Sequence, residues 1–172
     1  AGIVKDEQYH KPERGFVAGY ELETLPAFGF PGYPSNTKPG AWGREYAADI
    51  EQYRNAAGLW IVGEDMPQES NRVSLHATVK DKHGMPVAHV HYRDHPNDTA
   101  MRNHAWKQAT ALYEAAGARR VYTRMPFPST HNMGTCRQSS DADTGVCDGF
   151  GQTHDVKNLY ISDGSQFTTS AA

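Results

Sequence analysis

Two alternating stretches joined by a short polar connection constrain the fold more than any other feature of this sequence. Residues 72–79 and 87–92 largely alternate apolar with polar side chains, which is typical of β-strands because successive strand side chains face opposite sides. The connection between them, residues 80–84, is polar and ends in Gly84, where a tight turn favours glycine. These features predict an antiparallel hairpin.

Periodicity elsewhere predicts two helices and further strands. Apolar side chains recur at helical spacing from Asp98 to Ala116, and Gly117 follows where a helix commonly ends. The same spacing predicts a helix over residues 43–56. Strands are predicted at residues 16–23, 59–62, 119–123 and 159–162, and a long proline- and glycine-rich loop at residues 26–40. This mixture predicts an α+β fold in which helices pack on one face of an antiparallel sheet.

The charge balance and the cysteine spacing narrow the class of partner. The 172 residues carry a formal net charge of −3 without any Lys/Arg cluster, so we expect a small-molecule partner and neither nucleic acid nor an anionic membrane. No apolar run approaches the roughly 18 residues that a transmembrane helix needs, and no basic and apolar leader opens the sequence. Cys136 and Cys147 lack metal or redox spacing, so the sequence predicts two ordinary buried thiols.

Two segments near the C-terminus concentrate the residues with chemical potential. The first is His131-Asn-Met-Gly-Thr-Cys-Arg137, which follows a proline-rich stretch, and the second is Asn158-Leu-Tyr-Ile-Ser-Asp-Gly-Ser165. A loop histidine with an unperturbed pKa of about 6.5 is a suitable proton acceptor near neutral pH. Taken alone, a loop histidine such as His131 is more often a solvated or hydrogen-bonding residue, and Asp163-Gly164 is equally a plain strand-to-turn transition.

Together with Val146-Cys-Asp148 and the spacing from Gly151 to Tyr160, these segments resemble the C-terminal signature of the glucose-methanol-choline (GMC) flavoprotein oxidoreductases. Upstream, Gly63-Glu-Asp-Met-Pro67 and Asn71-Arg-Val-Ser-Leu75 look like the substrate-domain hairpin of the bacterial sugar and sugar-acid dehydrogenase branch. Two positions depart from the family pattern. Gln138-Ser139 stands where Met-Gly is usual, and Thr168 stands where proline is usual.

The resemblance implies an FAD-dependent enzyme that oxidises an alcohol group of a sugar, polyol or sugar acid, with His131 as the base or its hydrogen-bonding partner. It implies that residues 1–128 belong to the substrate domain and that residues 129–172 return to the FAD-binding α/β domain. The implied contacts with the cofactor come from Asn132, Gly134, Thr135, Asp163 and Gly164. A glycine step lets the backbone approach a cofactor closely.

The sequence contains no Gly-x-Gly-x-x-Gly turn after a strand. We therefore expect this chain to be the C-terminal part of a longer enzyme, with little FAD affinity alone and with the second catalytic residue of the family beyond Ala172. The expected partners are the remainder of the same enzyme and, through the sugar-dehydrogenase resemblance, a cytochrome subunit. The same resemblance favours a periplasmic over a cytoplasmic location.

Two other functions remain open at this point. His89 and His91 share one face of a predicted strand, with His95 nearby, and such a pair ligates zinc when further ligands converge. A zinc hydrolase is therefore an alternative, although Arg93 on the same face disfavours a cation. A non-catalytic binding module that keeps the substrate sheet is another. The carboxylate pairs Glu64-Asp65 and Asp141-x-Asp143 are explained by a turn or a helix start as well as by acid catalysis.

Overall fold

The α+β class is confirmed by a computed structural model, which describes residues 3–5, 12–26, 40–124 and 131–169. The strands of this part of the chain are β1 (Ile3–Lys5), β2 (Tyr20–Pro26), β3 (Ala57–Gly63), β4 (Arg72–Lys80) and β5 (Pro86–His91). The α-helices are α1 (Gly43–Glu51) and α2 (Pro96–Ala115), and short 3-10 helices lie at Pro12–Arg14, Tyr53–Asn55 and Gly164–Gln166. None of the helices in these ranges is long and apolar enough to cross a membrane.

The chain forms two compact units, each assembled from separate stretches of sequence. The first, here called the sheet–helix unit, comprises Ala1–Glu64, Asn97–Phe127 and Ala172. The second, the hairpin–loop unit, comprises Asp65–Pro96 and Pro128–Ala171. The predicted boundary at residue 128 concerns membership of a substrate and a flavin domain, and it stays a prediction.

In the sheet–helix unit, the antiparallel sheet β1-β2-β3 packs against α2. Phe16, Tyr20 and Leu22 form one buried cluster with two side chains of the helix, Met101 and Ala105. The strand that was predicted from residue 16 begins only at Tyr20. Gly15 and Ala18 have left-handed backbone angles, with φ of 75° and 69°, which interrupt the extended conformation. The apolar alternation therefore identified the core correctly and placed the strand four residues too early.

The two α-helices differ in how closely they follow their sequence signals. The prediction for α2 is confirmed, because a Schellman motif closes it: Gly117 has φ of 85°, and the Gly117 and Ala118 N–H groups donate to the Glu114 and Tyr113 carbonyls. The first helix is shorter than predicted. It ends at Glu51, and Tyr53–Asn55 forms a separate 3-10 turn.

The predicted hairpin is confirmed, with β4 and β5 antiparallel and Arg72 opposite His91. Its turn is closed by the Asp81 carboxylate, which accepts from the His83 and Met85 N–H groups, and Gly84 has φ of 82°. Among the described strands, β4 and β5 pair only with each other. The single sheet expected from the sequence is therefore two sheets in this part of the chain.

Two predicted strands are wrong. Residues 118–124 form no helix or strand, since no described strand pairs with them. In the segment 159–162, only Tyr160 makes an isolated bridge, to Gln152. The residue just before this segment, Asn158, has a left-handed φ of 76°. Most of the predicted loop at residues 26–40, and the proline-rich residues 125–130, lie outside the described residues.

Candidate functional site

The two C-terminal motifs lie side by side within the hairpin–loop unit. The Cys136 N–H donates to the Ser165 carbonyl, and the Gln138 N–H donates to the Gln166 carbonyl, each at 2.9 Å. These two bonds fix the register between the histidine-bearing segment, residues 131–138, and the turn at residues 163–167. Residues nearly thirty positions apart in sequence thereby become neighbours, as the combined motif requires.

Asp163 shapes the turn that the second motif forms. Its carboxylate accepts from the Ser165 N–H at 2.8 Å and caps the 3-10 helix Gly164–Gln166. Hydrogen bonds from the side chain and the backbone of Ser165 hold the pKa of Asp163 below its usual range. Asp163 is therefore an ionised group engaged in its own turn.

Glycine is favoured at two positions where the motifs meet. Gly134 has φ of 85°, a conformation that L side chains rarely adopt. A Cβ atom on Gly164 would lie 3.2 Å from the Asn132 carbonyl oxygen and 3.7 Å from the Met133 Cγ. The close approach of Gly164 is therefore to the backbone of the other motif, so the pairing itself accounts for this glycine.

The three polar side chains expected around the cofactor, His131, Asn132 and Thr135, are all exposed. They bring an imidazole, an amide and a hydroxyl to one short segment. Gly134 lies in the same segment, and as a glycine it has no side chain that would cover its backbone. A flavin presents ring N–H and C=O groups and a polar tail, so this set of donors and acceptors fits contact with it. The side chains remain accessible because the segment is held through its backbone.

The loop that follows the histidine-bearing segment, residues 139–147, is held by backbone hydrogen bonds around the buried Cys147. The Ser139 N–H donates to the Cys147 carbonyl, and the Val146 N–H donates to the Arg137 carbonyl. Burial, followed by the nearby Cys136 and Asp148, raises the pKa of the Cys147 thiol. The expectation of a buried, unpaired thiol is confirmed for Cys147, whereas Cys136 is unpaired and only half-buried.

The histidine pair of the zinc alternative belongs to a larger cluster on the hairpin. The His89 ring lies 4.2 Å from the His91 ring and 5.2 Å from the His76 ring, between centroids. His91 Nε2 hydrogen-bonds the Ser74 hydroxyl, and His76 Nδ1 accepts from the Thr78 and Val79 N–H groups. Within residues 12–26, 40–124 and 131–169, no group of three or more His, Cys, Asp or Glu side chains is arranged to hold a metal ion.

The hairpin's other face is apolar and strongly exposed. Leu75 and Val90 are 71% and 67% exposed, a feature that the alternating pattern alone did not indicate. The face with the histidines is the less exposed one. Partial burial is the main cause that lowers the pKa of His91, and the neighbouring His89 and Arg72 lower it further. His76 and His91 are therefore hydrogen-bonded strand residues in this unit, and His89 packs its ring against both.

The carboxylate pairs have structural roles. The Glu64 carboxylate accepts from the Gly19 N–H at 2.8 Å and ties the end of β3 to the residue before β2. The Asp141 carboxylate accepts from the Asp143 N–H at 3.0 Å within a turn. The turn interpretation accounts for the contact of Asp141, whereas the Glu64 contact links two residues that are 45 positions apart.

One contact near the site had escaped the sequence interpretation. The Gln138 side-chain amide donates to the Gln166 side-chain carbonyl at 2.7 Å. The available signal was the departure from Met-Gly at Gln138-Ser139, which marked an unusual polar residue without revealing its partner.

Comparisons with known proteins agree with this geometry. The family model for GMC oxidoreductase matches residues 67–172, a range that includes the hairpin and both motifs. A 2-methyl-1,2-propanediol dehydrogenase of Mycolicibacterium austroafricanum is 35% identical over 182 residues, covering 100% of this chain and 33% of that protein. A paromamine 6'-oxidase of Streptomyces fradiae is 33% identical over 58% of this chain and 19% of that protein. A C-glycoside 3-oxidase of Arthrobacter globiformis is 29% identical over 61% of this chain and 21% of that protein.

The chain thus spans about a third or less of the length of these curated relatives. The family match covers more than half of the chain and contains the paired His131 and Asp163 segments. The chain belongs to the GMC oxidoreductase family.

Proposed function

We propose that the complete protein is an FAD-dependent oxidoreductase that oxidises an alcohol group of a small polyol or sugar, and that this chain supplies His131. The pairing of the two motifs carries the proposal, since two backbone hydrogen bonds set the His131 segment beside the Asp163 turn. Alcohol oxidation by a flavin needs a base and a cofactor contact that are held in a fixed position relative to each other.

The residues of this chain have separate roles in the proposed reaction. A bound flavin supplies the acceptor for the hydride that leaves the carbinol carbon. The His131 imidazole accepts the proton of the alcohol hydroxyl, or hydrogen-bonds the group that does. Asn132 and Thr135, with the backbone at Gly134 and at Asp163-Gly164, would hold the cofactor through polar contacts.

The proposed substrate is a small molecule with neighbouring hydroxyl groups. The names of the relatives support this class, because they specify 2-methyl-1,2-propanediol, the 6' position of paromamine and a C-glycoside. The relative that aligns with the whole chain is the diol dehydrogenase, so 2-methyl-1,2-propanediol and glucose are the first compounds to compare.

For the electron acceptor we propose a partner other than oxygen, in keeping with the dehydrogenase name of the relative that matches the whole chain. The resemblance to the sugar-dehydrogenase branch supports a cytochrome subunit and a periplasmic location. Reoxidation of the reduced enzyme distinguishes the possibilities. Rapid reoxidation by air contradicts this part of the proposal, whereas slow reoxidation by air and rapid reoxidation by a one-electron dye support it.

The central test is His131→Ala in the complete, FAD-loaded enzyme mixed anaerobically with alcohol while flavin absorbance is followed. We expect the rate of flavin reduction to fall by about 10²–10⁴-fold, the usual contribution of a positioned base, with the flavin content unchanged. His83→Ala is the matched control, because His83 is an exposed residue of the hairpin turn. An unchanged reduction rate in His131→Ala would remove His131 from the mechanism.

A further inference from the structure

We propose that Gln138 and Gln166 form a positioning bridge that holds the His131 segment in register with the Asp163 turn, an inference that rests on the function proposed above. The two side chains are joined by a hydrogen bond of 2.7 Å between the Gln138 Nε2 and the Gln166 Oε1. The bridge connects the two motifs directly, and the role proposed for it is to hold these segments and not to act on the reacting atoms. Both are positioning residues, therefore, and not catalytic ones.

The bridge reinforces a backbone pairing that consists, among the described residues of the two motifs, of two hydrogen bonds. The Cys136 N–H to Ser165 bond and the Gln138 N–H to Gln166 bond are the ladder between the motifs. A two-bond ladder between irregular segments has little resistance to a shift in register. The side-chain bond adds a third link at the end of this ladder, between the same two residues as its second backbone bond.

Both amides are half-buried, which makes the bond consequential. Gln166 Oε1 lies 3.5 Å from the position that a Cβ atom on Gly151 would occupy. Gly151 is itself buried with φ of 82°. A partly buried amide that loses its partner carries a desolvation penalty, whereas replacing both partners by apolar groups is nearly neutral.

The hydrogen bond to Gln166 explains why the sequence departs from the family pattern at Gln138. The family pattern usually has methionine at this position, and a thioether has no proton to donate. Glutamine here therefore makes sense only together with a hydrogen-bonding partner, and the structure supplies Gln166. The pair predicts that the two positions depend on each other in their effect on the enzyme.

The consequence for the enzyme lies in the placement of His131. Because the histidine is exposed and lies on the segment whose register the bridge holds, a shift in register moves the imidazole relative to a cofactor held at Asp163-Gly164. A misplacement of about 1 Å costs up to about 10²-fold in rate. Loss of the bridge should therefore slow the hydride step and leave the binding of alcohol unchanged.

The experiment compares Gln138→Met, Gln166→Met and the double variant in the complete, FAD-loaded enzyme reduced anaerobically by 2-methyl-1,2-propanediol and by glucose. We expect each single variant to lower the limiting rate of flavin reduction by about 10-fold. The alcohol concentration giving half of that rate should change less than about twofold. The double variant should be no slower than either single variant, since both partners are then apolar.

A second readout does not depend on activity. In the complete enzyme without flavin, the Cys136 and Gln138 amide protons should exchange with solvent several-fold faster in each single variant. Gln138→Glu tests rescue, because its carboxylate still accepts from the Gln166 amide after that amide rotates. Gln152→Met is the matched control, since Gln152 is also half-buried and its side chain makes no hydrogen bond within the described residues.

The outcomes separate this inference from the proposed function. If none of the alcohols reduces the wild-type flavin, the proposed function fails, and the exchange rates still decide whether the bridge holds the motifs. If wild type is reduced but single variants match its rate, or single effects add in the double variant, the bridge has no positioning role. An equal loss in Gln152→Met overturns it as well.

Discussion

The sheet–helix unit and the hairpin–loop unit of this chain are stabilised by different interactions. In the first, five buried side chains of β2, α2 and the residues before β2 form one apolar cluster. In the second, Cys147 is the one buried hydrophobic residue among those that the structure describes. Large apolar side chains such as Phe150, at 92% exposed, face solvent there.

The second unit is held by hydrogen bonds and turn conformations. Backbone N–H groups from Cys136 to Gln166 donate to carbonyls across irregular segments, and Asp148 and Asp163 cap turns through their carboxylates. Burial is non-directional, whereas hydrogen bonds are directional. The sheet–helix unit should therefore tolerate substitutions that change the shape of a buried side chain but keep its volume. The hairpin–loop unit should tolerate substitutions that change side-chain volume but keep the backbone geometry. Both motifs lie in the hairpin–loop unit, which depends on the direction of its hydrogen bonds.

Met101→Ala is the sharpest test of the apolar unit. Met101 is 4% exposed, in the cluster with Tyr20 and Leu22, and its side chain fills the space beside Gly63. Its truncation should lower the free energy of unfolding by about 2–5 kcal/mol, because it removes buried surface and leaves a cavity. Urea unfolding followed by circular dichroism measures the change.

The control for this substitution is Leu112→Ala on the same helix. Leu112 is 42% exposed, so its truncation should destabilise the chain much less. Amide exchange in residues 136–166 should be as slow in Met101→Ala as in the wild type. Equal loss of protection in both units would show that they are one cooperative structure and would break the comparison.

Gly151→Ala tests the unit held by backbone geometry. Gly151 has φ of 82°, and a Cβ atom there would lie 2.6 Å from the Ile161 carbonyl oxygen. A left-handed non-glycine residue costs about 1–3 kcal/mol, and the Ile161 carbonyl must also move. We expect faster amide exchange at Ile161, which donates to the Gly151 carbonyl at 2.8 Å.

Gly149→Ala is the matched control, two residues away in the same turn region. A Cβ atom on Gly149 meets nothing within 4 Å, and its φ is not in the left-handed region. Its substitution should leave the exchange at Ile161 unchanged. If the two alanine variants behave alike, backbone geometry at Gly151 is not what holds this loop.

The same contrast explains which parts of the fold the sequence predicts. Helix α2 and the hairpin depend on periodicity and on end signals a few residues away, such as Gly117 and Gly84. Both were predicted to within two residues. The wrong strands at residues 119–123 and 159–162 had apolar residues of the right kind, but a strand also needs a partner at hydrogen-bonding distance. Composition does not carry that information.

The candidate site was predictable to a similar degree. The two motifs were found in sequence, and their pairing through Cys136 and Ser165 agrees with the expectation that they act together. The Gln138–Gln166 contact was not predictable, because it joins two residues 28 positions apart with no periodicity between them. The roles of His131 and of the cofactor contacts stay predictions that the variants above test.

Tyr20→Phe asks how much a polar contact contributes inside the apolar unit. The Tyr20 hydroxyl and His104 Nδ1 share a hydrogen bond of 2.9 Å, and the two rings also pack edge to face at 5.8 Å. Because the ring is retained, the loss should be about 1–2 kcal/mol, from the bond and the unpaired histidine nitrogen. Urea unfolding measures it against Tyr122→Phe, whose ring is exposed. A loss as large as that of Met101→Ala would mean that this unit also depends on directional contacts.

The smallest expected effect is a pH dependence confined to the hairpin. The pKa of His91 lies below its ordinary value of 6.5, because of partial burial first and then the positive charges of His89 and Arg72. The folded hairpin therefore binds this proton less readily than the unfolded chain does. The contribution of neutral His91 to stability is complete above about pH 6.5 and is lost as the pH falls from there towards the lower folded pKa.

The turn at Asp163 responds in a different pH window, so acidification separates the two parts of the hairpin–loop unit. The pKa of Asp163 is lowered from 3.8 by its bonds with Ser165, so its contribution persists until the pH falls below about 3.8. At about pH 5 the hairpin amides should exchange faster, relative to the intrinsic rate, than at about pH 7.5, whereas the Ser165 amide should not. His91→Gln, which can still hydrogen-bond Ser74, should weaken this dependence, because the group whose pKa is lowered is then absent. If Ser165 loses protection together with the hairpin at about pH 5, the two parts open as one and histidine charge alone does not explain the change.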